Sequence, residues 1–197
     1  MNLKELLHLY YPVPDKSVKA LLEKCVEFKL SKGECAIYQG EHSHYAYFVF
    51  DGFYRLSNCM VNGHEDTVCF GSNGVFVASV HSFQYNMPSV FTLEAVTDCT
   101  GLKISHRDLH ELMDTDNNIL RWFAEFAIFQ IYCLERRYML MRNPDATMRY
   151  IEFLKIQKDR AKVIPLKYIA QYIGVASETL SRIRAKLLKT NTDTNNL

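Results

Sequence analysis

The chain has 197 residues, of which 48% are hydrophobic and 13% aromatic, a composition that can bury a substantial core and excludes a disordered chain. The net charge of +1 hides an asymmetry: residues 142–189 hold eleven Lys or Arg against four Asp or Glu, whereas residues 1–141 hold twelve against seventeen. A C-terminal part of net charge +7 behind an acidic body indicates a domain that faces a polyanion, although an unevenly charged solvated surface would give the same count.

The cysteines and the N-terminus bear on the compartment. The chain has no C-x-x-C pair, and most of its cysteines lie in apolar runs, so they are expected to be reduced core residues. They are Cys25, Cys35, Cys59, Cys69, Cys99 and Cys133. No apolar signal segment opens the chain, and no apolar run reaches the roughly 18 residues of a membrane span. The sequence therefore predicts a cytoplasmic protein that does not contact a membrane.

The first hundred residues change from helical to strand-like patterning. A helix is expected from about Asp15, and residues 26–104 form short runs rich in Val, Phe, Tyr and Thr between glycines. Asn62 and Gly63 favour a tight hairpin, because both tolerate a positive φ. Regular turns of this kind are typical of a β-sandwich or barrel. Ser105 and Asp108 then predict a capped short helix through Met113.

A long helix is predicted next, because residues 116–141 contain neither Gly nor Pro. It would be roughly 39 Å long. Its apolar residues occupy two sides, and one partner cannot cover both. One side, formed by Leu120, Phe123, Ala127 and Leu134, is expected to pack on the same helix of a second subunit, and the side with Trp122, Phe126, Phe129 and Cys133 on the strand domain. Burial of the helix within one subunit is the alternative.

A domain boundary is expected at residues 143–145, where Asn143 would cap the next helix and Pro144 would take its first position. Residues 164–187 then predict a helix-turn-helix. Pro165 opens a helix with one apolar face, Gly174 ends it, and Leu180, Ile183 and Leu187 repeat at helical spacing in a second helix.

The polar side of the second helix has the residue types that read duplex DNA. Glu178 can accept from a cytosine amino group, and Arg182, one turn further on, can donate two hydrogen bonds to guanine. The complete predicted DNA-binding set is Ser177, Glu178, Thr179, Ser181, Arg182, Arg184 and Lys186, with Lys167 and Gln171 of the first helix directed to phosphates. An ordinary exposed ion pair between Glu178 and Arg182 is the alternative.

In this order of elements the chain resembles the Crp/Fnr family of bacterial transcription regulators. The most specific match is the run from Ile169 to Arg182, in which Glu178, Thr179 and Arg182 fall on the family's base-reading and phosphate positions. A weaker match covers residues 32–41 and 48–52. The resemblance implies an α+β protein with an antiparallel β-roll of the jelly-roll type over residues 1–115, a dimerisation helix at 116–141 and a DNA-binding domain at 142–190. It also implies homodimers that bind double-stranded DNA, and RNA polymerase as a further partner.

Three departures from that family limit what can be carried over. Ala78 and Ser79 stand where members that bind cyclic AMP have Gly-Glu, and Ser89 stands where they have Arg, so tight cyclic-nucleotide binding is not expected. Only two cysteines lie in the first forty residues, so no iron–sulfur cluster or other cofactor is expected. The polar tail at 191–197 is expected to be disordered, where the family often has a wing hairpin.

Two other functions compete with DNA binding. His42 and His44 resemble part of the metal site of a cupin-like enzyme, but Phe48 and Val49 stand where its glutamate belongs. His106 and His110 share a helix face without a third ligand, so neither a metal site nor an enzyme is expected. A protein-interaction module without DNA binding remains open, as does the effector, which is either an unknown small molecule or absent.

Overall fold

The computed structural model describes residues 1–194, except the side chains of Asp159 and residues 189–194. The eight strands are β1 (Val26–Leu30), β2 (Cys35–Ile37), β3 (Tyr45–Asp51), β4 (Phe53–Cys59), β5 (Glu65–Ser72), β6 (Val75–Val77), β7 (Thr92–Ala95) and β8 (Cys99–Ser105). The helices are α1 (Leu3–His8), α2 (Asp15–Lys24), α3 (Val80–Phe83), α4 (His106–Thr115), α5 (Asn117–Arg142), α6 (Ala146–Gln157), α7 (Leu166–Ile173) and α8 (Ser177–Thr194). A 3-10 turn at Lys158–Lys162 joins α6 to the segment before α7.

The strands form two four-stranded antiparallel sheets that face each other as a β-roll. One sheet has the order β1-β8-β3-β6 and the other β2-β7-β4-β5. The side chains between the sheets include Tyr54, Leu93 and Val49, all at most 2% exposed. The expected hairpin joins β4 to β5, and Gly63 in its turn has φ +79°. The α+β class and the antiparallel β-roll agree with the sequence prediction.

The first helices and α4 cover the outer face of the sheet that contains β3. Leu6, Leu21 and Leu109 are fully buried there, and the Ser105 hydroxyl accepts from the Asp108 amide at the start of α4, as the sequence predicts. That helix runs two residues further than expected, to Thr115, because its last turn still packs Leu112 and Met113 in the core.

Helix α5 is as long as expected and separates two surfaces. Trp122 is fully buried and Phe126 is 7% exposed against Phe48 and Phe76 of the β-roll. The predicted contact with the strand domain is therefore present for Trp122 and Phe126, whereas Phe129 is 41% exposed and packs on Tyr10 before α2.

Two helix boundaries in the C-terminal part differ from the prediction: the start of α6 and the end of α8. Asp145, not Asn143, caps α6: its carboxylate accepts from the Thr147 and Met148 amides, and Asn143 instead accepts from the Asp145 amide. The correction follows from Pro144, which precedes the helix rather than starting it. Helix α8 continues to Thr194, so residues 191–194 of the expected disordered tail are helical, and 195–197 lie outside the described residues.

Candidate DNA-reading surface

The turn between α7 and α8 depends on the backbone geometry of Gly174. This residue ends α7 in the left-handed region, at φ +69° and ψ +48°, and the Val175 amide donates to the Ala170 carbonyl. A side chain at Gly174 would be strained at this φ and would meet the Met141 methyl group at 2.9 Å. Ile173 and Leu180 are fully buried. The turn thus fixes one face of α8 inward and leaves the opposite face to solvent.

The predicted base-reading residues lie on that outward face. Most of the polar residues predicted on α8 are exposed, whereas two of them are half-buried. The exposed ones are Ser177, Glu178, Ser181, Arg182 and Lys186, and the half-buried ones are Thr179 and Arg184. Arg182 Nη2 donates to Thr179 Oγ1 at 3.3 Å, one turn back along the helix. Because Thr179 and Arg182 are both accessible to solvent, this face of α8 presents hydrogen-bond donors and acceptors over about two helical turns.

The two residues predicted on α7 have a different environment, because that helix packs on the outer face of β5. Gln171 Oε1 accepts from Thr67 Oγ1 at 2.9 Å and from Arg55 Nη1 at 3.2 Å, and its Nε2 donates to Glu65 Oε2 at 3.3 Å. Lys167 Nζ lies 3.9 Å from the same Glu65 oxygen. The structure therefore separates these two side chains from the α8 set and engages them with the β-roll.

At the centre of that contact is Arg55, which the sequence prediction missed. Its side chain is 4% exposed and donates to Glu94 at 2.6 and 2.8 Å and to Glu65 at 2.7 Å. Its guanidinium lies 3.7 Å from the ring centre of Tyr168, whose hydroxyl donates to Glu94 Oε1 at 3.2 Å. Burial alone would lower the pKa of Arg55, but the hydrogen bonds to the two carboxylates raise it above the ordinary value.

The same bonds act on one of the carboxylates. Burial raises the pKa of Glu65, but the hydrogen bond and charge of Arg55, the hydrogen bond from Gln171 and the charge of Lys167 together outweigh it and hold that pKa below the usual range. Arg55 and Glu65 therefore keep their charges. With Glu94 they form an ion-pair network, to which Gln171 and Tyr168 add neutral hydrogen bonds. In the sequence, Arg55 is noticeable as a charged residue within an apolar strand, but the sequence does not show which residues it contacts.

A second arginine contacts α7 from the long helix. The Arg137 guanidinium lies 3.9 Å from the ring centre of Tyr172, and its Nη2 donates to the Thr67 carbonyl at 3.4 Å. Its Nη1 is buried without a hydrogen-bond partner, and burial lowers the pKa of this side chain. This contact therefore depends on the Tyr172 ring and the Thr67 carbonyl, whereas the contact at Arg55 depends on two carboxylates.

The outer side of α5 carries an apolar stripe with the spacing of a coiled coil. The residues recur every four and three positions and are exposed or half-buried: Leu120, Ala124, Ala127, Ile131, Leu134, Tyr138 and Met141. Three of the four predicted dimerisation residues belong to it. The fourth, Phe123, is half-buried at the edge, with its ring 6.3 Å from Phe76 of the β-roll. A seam of this spacing is the one that packs two helices side by side.

Comparison with known proteins gives one family match and several similar folds. Residues 27–116 match the family model of the cyclic nucleotide-binding domain. No curated protein sequence matches the chain. FixK2 from Bradyrhizobium japonicum is 21% identical, with 85% of this chain and 86% of that one covered and a TM-score of 0.74. The c-di-GMP-responsive global regulator CLP of Xanthomonas campestris is 16% identical over 90% and 93%, with a TM-score of 0.75. The Thermus thermophilus catabolite activator protein is 20% identical over 93% and 87%, with a TM-score of 0.59.

The β-roll is the part of the chain that matches the cyclic nucleotide-binding domain. The chain as a whole has the fold of these solved structures, of which CLP is described as a global regulator and the Thermus thermophilus protein as a catabolite activator. None of the helices that the structure describes is long and apolar enough to cross a membrane.

Within the cyclic nucleotide-binding domain, the residues at the predicted departures point into the protein. Ser89 is 2% exposed, and its hydroxyl donates to the Phe91 carbonyl. Ser79 is fully buried. Phe48, Phe76 and Trp122 fill the space between the sheet and α5, with ring centres 4.8–5.8 Å apart. Position 89 itself therefore has a hydroxyl group and no charge.

The histidines singled out in the sequence come together at one edge of this domain. The rings of His106 and His110 lie 4.0 Å apart, and the His106 amide donates to the His44 carbonyl. His42 and His44 precede β3 rather than lying on it. Over the described part of the chain, no group of three or more His, Cys, Asp or Glu residues is arranged to hold a metal ion.

Proposed function

We propose that this protein is a sequence-specific DNA-binding transcription regulator that acts as a homodimer in the cytoplasm. The observation that carries the proposal is the exposed face of α8 with Glu178 and Arg182, held outward by the Gly174 turn on a segment of net charge +7. A helix that follows a short glycine turn and presents polar side chains fits the major groove. Its fold is that of known regulators.

The dimer is proposed from the stripe on α5. Leu134 is 65% exposed and Ile131 58% in the single chain, which is unusual for consecutive seam residues of a stable helix. Two copies packed along this stripe would bury it and place two α8 helices on one side of the pair, the arrangement that reads two half-sites on DNA.

The test is a selection of bound sequences from random duplex DNA, followed by affinities at two salt concentrations. Arg182→Ala should cost about 1–3 kcal/mol and relax the preference at one base position, whereas Lys186→Ala should weaken all sequences alike and reduce the salt dependence. Arg107→Ala removes an equal charge from an exposed site on α4 and serves as the control. If the dimer binds no duplex at any sequence, DNA reading is wrong and the protein-interaction module takes its place.

The effector side of the proposal is that this domain does not bind cyclic AMP or cyclic GMP tightly. Ser89 is buried and its hydroxyl donates to a backbone carbonyl, so the side chain at this position does not neutralise a cyclic phosphate. Titration calorimetry with either nucleotide should show no binding at micromolar concentrations, and a micromolar affinity would contradict the assignment. Another small-molecule effector, or none, and RNA polymerase as a partner of the bound dimer are compatible with the same fold.

A further inference from the structure

Four histidines meet where residues 79–87, which we call the α3 segment, lie against the start of α4. The rings of His106 and His110 are 4.0 Å apart, and those of His42 and His44 are 6.3 Å apart with an angle of 24° between their planes. The His106 amide donates to the His44 carbonyl at 2.8 Å and joins the two pairs. We call these four side chains the histidine cluster.

The histidine cluster holds the α3 segment against the β-roll. Three contacts join them: Phe83 against His106 with ring centres 5.2 Å apart, Gln84 Oε1 with His110 Nε2 at 3.2 Å, and the Asn86 carbonyl with His42 Nε2 at 3.2 Å. Between them, the Ser43 amide donates to the Ser82 hydroxyl. Because three of these four contacts end on an imidazole ring, the position of the segment depends on the charge of these rings.

The arrangement favours neutral imidazoles. Burial, together with the charges of His110 and His44, lowers the pKa of His106 below its ordinary value. His106 is also the first residue of α4, where the helix dipole disfavours a cation. As the pH falls below about 6.5, a released segment, which leaves His106 in water, binds protons more readily than the closed one. The closed arrangement is therefore stable at neutral pH and loses stability as the pH falls.

The other charges around the cluster do not offset this effect. Asp108 and Glu111, the carboxylates next to these histidines on α4, lie 3.5 and 3.1 Å from Lys24 Nζ. The other ionic side chains on these elements are Glu41, Lys103, Arg107 and Asp114, and His81 is the further histidine of the α3 segment. Since the charges of those four sum to zero, the histidines themselves decide how the segment responds to pH.

The α3 segment also reaches α5 through the core. Phe83 is 5% exposed and belongs to the same hydrophobic cluster as Phe76, Trp122 and Phe126. Release of Phe83 would therefore change the surroundings of the helix that carries the proposed dimer stripe. Trp122 is the only tryptophan of the chain, so its fluorescence reports on this region.

We propose that the histidine cluster is a pH-sensitive switch that holds the α3 segment when it is neutral, and that releases the segment and loosens the core around α5 when it is protonated at weakly acidic pH. The proposal adds an input to the proposed regulator. Its test needs no DNA, so its failure would leave the proposed DNA binding untouched.

Hydrogen exchange of the full chain tests the release, because the Phe83, Gln84 and Asn86 amides are hydrogen-bonded within the segment. Their protection, after division by the intrinsic exchange rate at each pH, should fall between about pH 7.5 and about pH 5.5, the range in which histidines titrate. The expected loss is about 2- to 10-fold, as for a cation at a helix N-terminus beside a like charge. Amides of the β-roll core should keep their protection.

His106→Phe should abolish this loss, since it keeps a ring against Phe83 and cannot take up a proton. His81→Phe is the matched control, because it makes the same change at an exposed histidine of the same segment and should leave the loss in place. His110→Gln removes the nearest like charge and keeps a polar group beside Gln84, so it should show a smaller loss than the unaltered protein. This variant tests the switch even if His106→Phe does not fold.

The emission of Trp122 should change over the same pH range in the unaltered protein and in His81→Phe, but not in His106→Phe. An equal loss of protection in His106→Phe and the unaltered protein would assign the titration to another group and overturn the proposal. A loss shared by all amides of the β-roll would mean general acid unfolding and would also overturn it. A loss confined to the segment, with constant Trp122 emission, would overturn the link to α5.

Discussion

At the scale of single residues, Gly71 and Ser72 are neighbours on β5 with opposite tolerance for change. A methyl group at Gly71 would collide with the ring and hydroxyl of Tyr54, which is 2% exposed and cannot move aside. The Ser72 hydroxyl is buried without a hydrogen-bond partner. Gly71→Ala should therefore lower the free energy of unfolding by about 1–3 kcal/mol through overpacking, whereas Ser72→Ala should leave it unchanged or raise it.

Urea denaturation of the two variants beside the unaltered chain checks this pair. The comparison is matched, because both changes leave an alanine on the same strand. Equal stability of the two would mean that the Tyr54 ring does not lie against Gly71.

The same scale shows what a sequence cannot supply. Arg55 and Glu94 are 39 positions apart, and Gln171 is 116 positions from Arg55, so no local pattern joins them. Gln171 was predicted as a phosphate contact from its place in a helix-turn-helix, and that expectation is neither excluded nor met by its bonds to the sheet. By contrast, Gly174 was correctly predicted to end a helix, since its φ of +69° reflects a local backbone requirement.

At the scale of elements, local chemistry predicts some helix boundaries and misses others. The Ser105 cap and the Gly174 stop are both at their expected positions. Helix α8 was expected to end near 190 but continues to Thr194, because no Gly or Pro interrupts its last residues. The two-sided pattern of α5 correctly predicted a contact with the β-roll, whereas the packing of Tyr168 and Tyr172 on β5 depends on tertiary geometry that periodicity does not encode.

The elements also decide what the β-roll contributes. The β2-β7-β4-β5 sheet has its inner face in the roll's core and its outer face against α7, which shares a hydrophobic cluster with Phe53 and Val96. A change on either face of this sheet is therefore felt at α7. This is the physical reason to look for an effector response in the orientation of the helix-turn-helix rather than within α8.

At the scale of the whole molecule, the two sides of α5 have different roles in the proposed dimer. Trp122 and Phe126 pack within the subunit, and the stripe through Leu134 is the side that we propose to pair with a second copy. Since α5 leads directly to the segment that carries α6 to α8, pairing along the stripe fixes how far apart two reading helices lie. Dimer formation and affinity for a two-half-site duplex should then be lost together.

Leu134→Glu tests this with a close control. Leu134 is 65% exposed in the single chain and lies on the stripe, whereas Met139 is 67% exposed on the same helix and lies off the stripe. In an isolated subunit both changes should be equally harmless. Only in a dimer packed on the stripe would Leu134→Glu place a charge in the seam, opposite its own copy. Sedimentation should show Leu134→Glu as a monomer and Met139→Glu as a dimer, and DNA affinity should fall only in the former. If both variants were dimers, or both were monomers, the subunit contact would lie elsewhere on the molecule.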